Sequence, residues 1–169
     1  MKHAFLFVLL TLAPLNFVHA TTVRRLSFDE LVAKSESIVE GQILESRSYW
    51  TGDRKLILTS YTVQVRENMK GKAAETITVT TVGGKIGNTI LHVSGMPVFE
   101  PGESAVLFLE RSKSYMTVVG LNQGKFTISN GEVSNSVDGL SFSEGTSGKP
   151  MRMPLNEFKR QIKLRITSR

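Results

Sequence analysis

The sequence has no cysteine, three histidines and one tryptophan among its 169 residues. Without cysteine the chain cannot form disulfide bonds, carry a lipoprotein anchor or build the thiolate sites that commonly hold zinc. His3 and His19 lie in the first twenty residues, and His92 is the third histidine. Ser94 is close to His92, but no Gly-x-Ser-x-Gly elbow surrounds it. We therefore predict that His92 is structural and that the chain uses no metal and no cofactor.

Long apolar runs are also lacking after the first twenty residues, so we expect no membrane span. Those twenty residues carry Lys2, an apolar run over residues 4–12 and the sequence Val18-His19-Ala20. This arrangement is typical of a secretory signal that is removed on export. We predict a signal peptide over residues 1–20, a periplasmic or extracellular location, and a single domain over residues 21–169, a length at which one core is sufficient.

The charge is unbalanced, with 21 basic against 15 acidic residues and a net charge of +6. A basic surplus can favour anionic partners, and binding to an anionic surface is one alternative for this chain. Because an exported protein seldom meets nucleic acid, we expect no nucleic-acid partner.

Residues 37–71 carry the clearest pattern in the chain. Apolar and polar residues alternate between Ile57 and Val65, which predicts a half-buried strand. The preceding run around Gly41 predicts a second strand, and a glycine inside a strand often marks a bulge or sharp bend. A turn at Thr51-Gly52-Asp53-Arg54 separates the two runs. Together they predict a long, bent hairpin that nucleates a closed barrel.

The rest of the chain adds strands and two helices to this hairpin. Ser27 and Glu30 form a capping box that starts a short helix, and residues 105–109 are apolar at every position, as in a strand covered on both faces. Residues 132–150 are rich in Ser, Gly, Asn and Asp and predict a flexible loop. Residues 154–167 predict an amphipathic C-terminal helix. The expected fold is mostly β: an OB-like barrel of five to seven strands with a short N-terminal helix.

Few residues are candidates for chemistry. Glu100 and Glu103 flank a Pro-Gly turn and, with His92, form the alternative of a hydrolase or carbohydrate-active protein. Tyr49 and Trp50, near the tip of the long hairpin, are candidates for a sugar or protein contact. Closing one end of a barrel is an equally good role for these two aromatic side chains.

The order of these motifs resembles the netrin-like fold. The motifs are Ser-x-x-Ile-Val-x-Gly-x-Ile, Tyr-x-Val-x-Val, Lys70-Gly71, a Thr/Val strand and Gly-Glu-Ser-Ala-Val-Leu-Phe-Leu from Gly102. That fold is the five-stranded OB-type barrel of the tissue inhibitors of metalloproteinases, and small exported bacterial proteins of unknown function share the Lys-Gly and Gly-Glu spacing. The resemblance covers roughly residues 35–128.

The resemblance implies a way of binding as well as a fold. In the inhibitors the mature N-terminus lies beside the barrel, and its first residue chelates the zinc of the protease. The matching residue here is Thr21, although the inhibitors begin with cysteine. We therefore predict an exported, non-enzymatic binding module for a metalloprotease or another protein. The predicted contact residues are Thr21, Thr22, Val23, Tyr49, Trp50, Met96 and Pro97.

Overall fold

The computed structural model describes residues 21–143 and 148–168, so the predicted signal peptide lies outside the described residues. The described chain is mostly β, with two α-helices. The helices are α1 (Phe28–Lys34) and α2 (Leu155–Thr167). The strands are β1 (Thr21–Val23), β2 (Ser37–Trp50), β3 (Ile57–Lys70), β4 (Thr76–Val82), β5 (Gly84–Ile86), β6 (Thr89–Leu91), β7 (Ser104–Ser112), β8 (Tyr115–Val118), β9 (Lys125–Ser129), β10 (Glu132–Asn135), β11 (Leu140–Phe142) and β12 (Arg152–Pro154).

The predicted long hairpin is confirmed as β2 and β3, which pair in antiparallel from Ile38 opposite Lys70 to Trp50 opposite Ile57. The register shifts three times along this ladder, and one shift lies between Glu40 and Gly41. A Cβ atom at position 41 would lie 2.6 Å from Val63 Cγ1. Glycine is therefore required where the two strands cross closely at the bulge, and the ribbon bends there as predicted.

The main sheet has eight strands in the order β12-β10-β9-β7-β2-β3-β4, and β8 pairs with β7 beside this path. The sheet curls until Cα atoms of β4 and β8 come within 8 Å of each other. The ladders of the described residues nevertheless leave β4 at the edge of the sheet and join β8 to β7 alone. The prediction of a mostly β fold is therefore confirmed, but the closed five- to seven-stranded barrel is not, because the described sheet curls without joining its edges.

Both faces of β7 are buried, as its continuous apolar sequence predicts. Val106 and Phe108 point to one core, where the two helices cover the sheet, and Phe158 and Ile162 of α2 are fully buried there. Phe126 and Phe158 pack with their ring centroids 4.5 Å apart in this layer. The alternate side chains of β7 point into the concave side of the sheet, where they meet apolar residues of β2, β3, β4 and β8.

Both predicted helices are present. Ser27 and Glu30 form the expected capping box at the start of α1. Helix α2 begins at Leu155 and ends at Thr167, as predicted to within one residue. None of the helices in the described residues is long and apolar enough to cross a membrane.

The Lys-Gly pair at the end of β3 has a clear structural role. Lys70 Nζ donates hydrogen bonds to the carbonyl oxygens of Val32 and Ser35, each at 2.6 Å, and so satisfies the C-terminal end of α1. Gly71 has a φ of +76°, and a side chain there would collide with the Glu36 carbonyl. The motif therefore joins α1 to the long hairpin.

Two strands lie within residues 132–150, where the polar composition predicts a loop. Strand β10 pairs with β9 and β12, and Val133 is 1% exposed in the helix-covered core. Strand β11 pairs with the N-terminal strand β1. The polar composition hides these strands because each has only one or two apolar side chains to bury. Residues 144–147 lie outside the described part of the chain.

Candidate functional site

The predicted contact residues at the N-terminus form an ordered strand outside the main sheet. Strand β1 pairs in parallel with β11, with Thr21 opposite Leu140 and Val23 opposite Phe142. The Ser143 amide extends this pairing by donating a hydrogen bond to the Val23 carbonyl at 3.1 Å. Two strands alone are marginally stable in water, so other contacts must hold β1 in place.

The buried amide of Gln123 supplies the most specific of these contacts. Gln123 belongs to a short 3-10 helix (Leu121–Gly124) and is 3% exposed. The Leu26 amide donates to Gln123 Oε1 at 2.8 Å, and Gln123 Nε2 donates to the Arg24 carbonyl at 3.2 Å. One side chain therefore satisfies two backbone groups just after β1, and we call this arrangement the Gln123 clamp.

Charged side chains add a second set of contacts after β1. Arg24 Nη1 lies 2.6 Å from Glu30 Oε1. Hydrogen bonds from the Ser27 backbone, and then from the Arg24 side chain, lower the pKa of Glu30 to about 2. Arg25 lies over the Phe142 ring at 5.8 Å from its centroid and donates to the Lys149 carbonyl at 3.2 Å. The segment after β1 is thus tied to α1, to β11 and to the chain that follows β11.

The turn that contains Met96 and Pro97 meets this N-terminal strand through Leu140. Gly95 has a φ of +74°, and a side chain there would collide with Leu140, the partner of Thr21 in the ladder. Met96 is half-buried and Pro97 is buried. We call residues 21–23, 95–97 and 139–142 the N-terminal ledge. The structure therefore places this turn beside β11, the partner of β1, with Met96 partly accessible and Pro97 beneath the surface.

Met96 also lines a cleft of about 380 Å³. Its walls are the end of β4, the start of β3 and the turn between β7 and β8. The lining side chains are apolar or carry hydroxyl groups, with Lys113 as the one charged residue and no carboxylate or imidazole. This lining of apolar and hydroxyl groups suits binding of an apolar group.

Tyr49 and Trp50 lie at the end of β2 and are half-buried. Tyr49 accepts a hydrogen bond from Ser60 Oγ at 3.4 Å, and Trp50 pairs with Ile57. Neither aromatic residue lines the cleft, although the next residue, Thr51, does. Their contact with a ligand stays a prediction. In the sequence they directly precede Thr51, which lines the cleft.

Glu103, one of the candidate residues for a hydrolase with Glu100 and His92, is held by several partners. Glu103 accepts hydrogen bonds from Thr127 Oγ1 at 2.7 Å and from the Glu100 amide at 3.1 Å, and it forms an ion pair with Lys125 at 2.8 Å. The Glu103 and Lys125 side chains are each 14% exposed. His92 is exposed on the surface. Glu103 therefore anchors β7 to β9, and this arrangement disfavours a role as a free catalytic carboxylate.

The alternative function, binding to an anionic surface, would need free basic residues, and several basic residues lie on α2. Lys159 forms ion pairs with Glu40 and with Glu67, where its Nζ lies 2.8 Å from Glu67 Oε2. A hydrogen bond from Lys159 lowers the pKa of Glu67. Lys163 lies 3.6 Å from the same carboxylate, and Arg165 is paired with Asp29. Lys159 and Lys163 therefore hold α2 on the sheet and Arg165 holds it against α1, which leaves less free positive charge for an anionic surface.

Sequence reasoning missed Gln123, Leu140 and Lys113. Gln123 gives no periodic signal because it lies in a turn between two strands. Leu140 lies within the predicted loop, and Lys113 lies in a turn between two strands, where no periodic pattern indicates its place at the cleft. A contact between residues far apart in sequence leaves no trace in local alternation.

The part of the chain that the structure describes contains no group of three or more His, Asp or Glu side chains that could hold a metal ion. Comparison of the sequence with protein-family models and curated proteins, and of the structure with solved structures, finds no match. The candidate site must therefore be interpreted from its own geometry.

Proposed function

We propose that the chain is an exported, non-enzymatic binding module that docks another protein on the N-terminal ledge. The observation that carries this proposal is the fixing of β1 beside the turn at residues 95–97 by Leu140 and the Gln123 clamp. A strand held in advance loses little conformational entropy when a partner binds it.

The chemistry of the surroundings supports binding over catalysis. The cleft beside Met96 is lined by hydroxyl and apolar groups with Lys113 as its one charged residue, and Glu103 is engaged by Lys125 and Thr127. Large apolar side chains remain on the surface, including Val98, which follows the ledge directly and is 60% exposed. Exposed apolar groups beside an ordered backbone are a common feature of protein contact sites.

The resemblance to the netrin-like fold makes an exported metalloprotease the partner to test first. If residues 1–20 are removed on export, the α-amino group of Thr21 stands at the start of β1. The amine and the Thr21 carbonyl can then approach a zinc ion together, and β1 needs no disulfide because β11 and the Gln123 clamp hold it. Deprotonation of the amine is required for zinc binding, so affinity should rise as pH rises toward 8.

The test uses the chain purified from the export fraction, with its first residue identified by mass spectrometry. Added in excess to exported metalloproteases, it should slow at least one of them and co-purify with it. Thr22 is exposed on β1, and a Thr22→Arg substitution should weaken that complex by about tenfold or more, because a long charged side chain would enter the contact.

Thr167→Arg is the matched control, since Thr167 is an exposed residue at the end of α2. It adds the same charge and should leave binding unchanged. If neither inhibition nor co-purification occurs, the metalloprotease is not the partner. If another protein is captured equally by both variants, the ledge is not the docking surface.

A further inference from the structure

A second, smaller pocket opens from the concave side of the sheet, beside the start of β2. Its volume is about 160 Å³, and its walls come from β2, β4, β7, β8 and the connection between β3 and β4. Four of the lining residues are apolar and belong to the concave core or pack against it: Ala73, Ile77, Leu109 and Met116. The lining includes no residue of the N-terminal ledge, so this pocket is separate from the proposed docking surface.

The hydroxyl group of Ser37 lines this pocket and has no partner. Ser37 lies directly opposite Leu109 in the ladder of β2 and β7, so the two side chains share the concave face of the sheet. Ser37 is 6% exposed, and its Oγ forms no hydrogen bond with any residue that the structure describes. A buried hydroxyl without a partner is unfavourable. A change of the χ1 rotamer of Ser37 offers this hydroxyl to a ligand in the pocket.

Two basic side chains, Lys72 and Arg111, also line the pocket, and both are exposed. Arg111 follows Leu109 by two residues on β7, so it lies on the same face as Ser37 and is its diagonal neighbour. Lys72 forms no ion pair with any described residue, and Arg111 has a long one, with its Nε 3.9 Å from Glu36 Oε2. The described lining contains no acidic residue, so the pocket complements a negative charge.

We infer that this pocket binds a small organic carboxylate. The carboxylate accepts a hydrogen bond from Ser37 and faces Lys72 and Arg111, while its apolar body packs on Leu109 and Met116. A cavity of similar volume holds benzene, so the apolar body has about four to six carbon atoms. A carboxylate is favoured over an inorganic anion because half of the lining residues are apolar. This inference goes beyond the proposed function and does not depend on it.

The experiment titrates the exported chain with three small molecules and follows its backbone amide resonances by NMR. The probes are pentanoate, its uncharged analogue pentanamide, and inorganic phosphate. Pentanoate should bind saturably and shift the amides of Ser37, Leu109 and Met116. Pentanamide has the same shape without the charge, so it should bind about fivefold more weakly, because a hydrogen bond to a charged group is stronger than one to a neutral group. Phosphate should bind more weakly than pentanoate, because it has no apolar body.

Substitution of Ser37 tests the role of its hydroxyl group. Ser37→Ala should weaken pentanoate binding by about fivefold, because one hydrogen bond to the carboxylate is lost. It should leave the stability of the ligand-free chain unchanged or raise it, since the hydroxyl has no protein partner to lose. Ser46→Ala is the matched control, because Ser46 is an exposed serine of the same strand outside the lining, and it should leave binding unchanged.

Substitution of Lys72 tests the role of charge. Lys72→Met should weaken pentanoate binding by about two- to fivefold, and added salt should weaken binding to the unsubstituted chain, because exposed ion pairs are weak and screened. Lys85→Met is the matched control, because Lys85 is an exposed lysine of β5 outside the lining.

Several results would overturn this inference. If pentanoate causes no saturable shift, water alone satisfies Ser37 and the pocket has no carboxylate ligand. Equal binding of pentanoate and pentanamide, tighter binding of phosphate, or equal effects of Ser37→Ala and Ser46→Ala would each contradict it as well. None of these outcomes bears on the N-terminal ledge, which is tested separately through Thr22→Arg.

Discussion

The Gln123 clamp gives the sharpest test of how β1 is held. Replacing Gln123 by leucine keeps much of the side-chain volume and removes both hydrogen bonds, so the Leu26 amide and the Arg24 carbonyl lose their partner. Leaving a part-buried backbone group unsatisfied costs about 1–3 kcal/mol. We expect the free energy of unfolding to fall by about 2–3 kcal/mol and the Tm by roughly 5–10 °C.

Urea denaturation measures this loss, and hydrogen exchange shows where it acts. The amide of Ser143, which donates to Val23, should exchange faster in Gln123→Leu, because β1 separates from β11 more often. Gln64→Leu is the control, since Gln64 is exposed on β3, and it should change stability by less than about 0.5 kcal/mol. Unchanged protection of Ser143 in a destabilised Gln123→Leu protein would refute the reasoning, because the clamp would then stabilise the fold without holding β1.

Three further predictions concern the scaffold. Lys70→Met should lower the free energy of unfolding by about 2 kcal/mol in chemical denaturation, because α1 loses its C-terminal partner, while the same change at exposed Lys72 should have little effect. Gly41→Ala should cost about 1–3 kcal/mol by the same measurement, because the added methyl group collides with β3; an unchanged stability would show that the bulge can widen. The pKa of Glu67 is lowered by Lys159, so Glu67 contributes stability above its ordinary pKa of 4.5 and loses it as pH falls through the lowered pKa. Lys159→Met should therefore flatten the loss of stability that is measured as pH falls below 4.5. Parallel curves for the two proteins would contradict that assignment.

Local patterns predicted the elements well because each follows from a few neighbouring residues. The alternation from Ile57 to Val65 corresponds to β3, and the apolar run at residues 105–109 lies in the doubly covered strand β7. The capping box of Ser27 and Glu30 starts α1. In each case a repeat of side-chain types records which face is buried, and no information from distant residues is needed.

The candidate site was less predictable because it depends on contacts between distant residues. The Thr21 pairing with Leu140 joins parts of the chain that share no periodic pattern. Thr80 belongs to the alternating Thr/Val strand, a pattern typical of a solvated Thr face, but it is buried at the cleft because the sheet curls there. Closure of the sheet depends on whether β4 and β8 join, and the sequence of either strand alone does not decide this.

The central claim is that a partner contacts the N-terminal ledge, and photo-cross-linking from the ledge tests it most directly. A photoreactive amino acid is placed at position 22 in one protein and at position 167 in another, and both are exported and illuminated before purification. The account predicts an adduct with an exported metalloprotease from position 22 and none from position 167. An adduct of the same protein from both positions, or no adduct from position 22 while the protease still co-purifies, would contradict it.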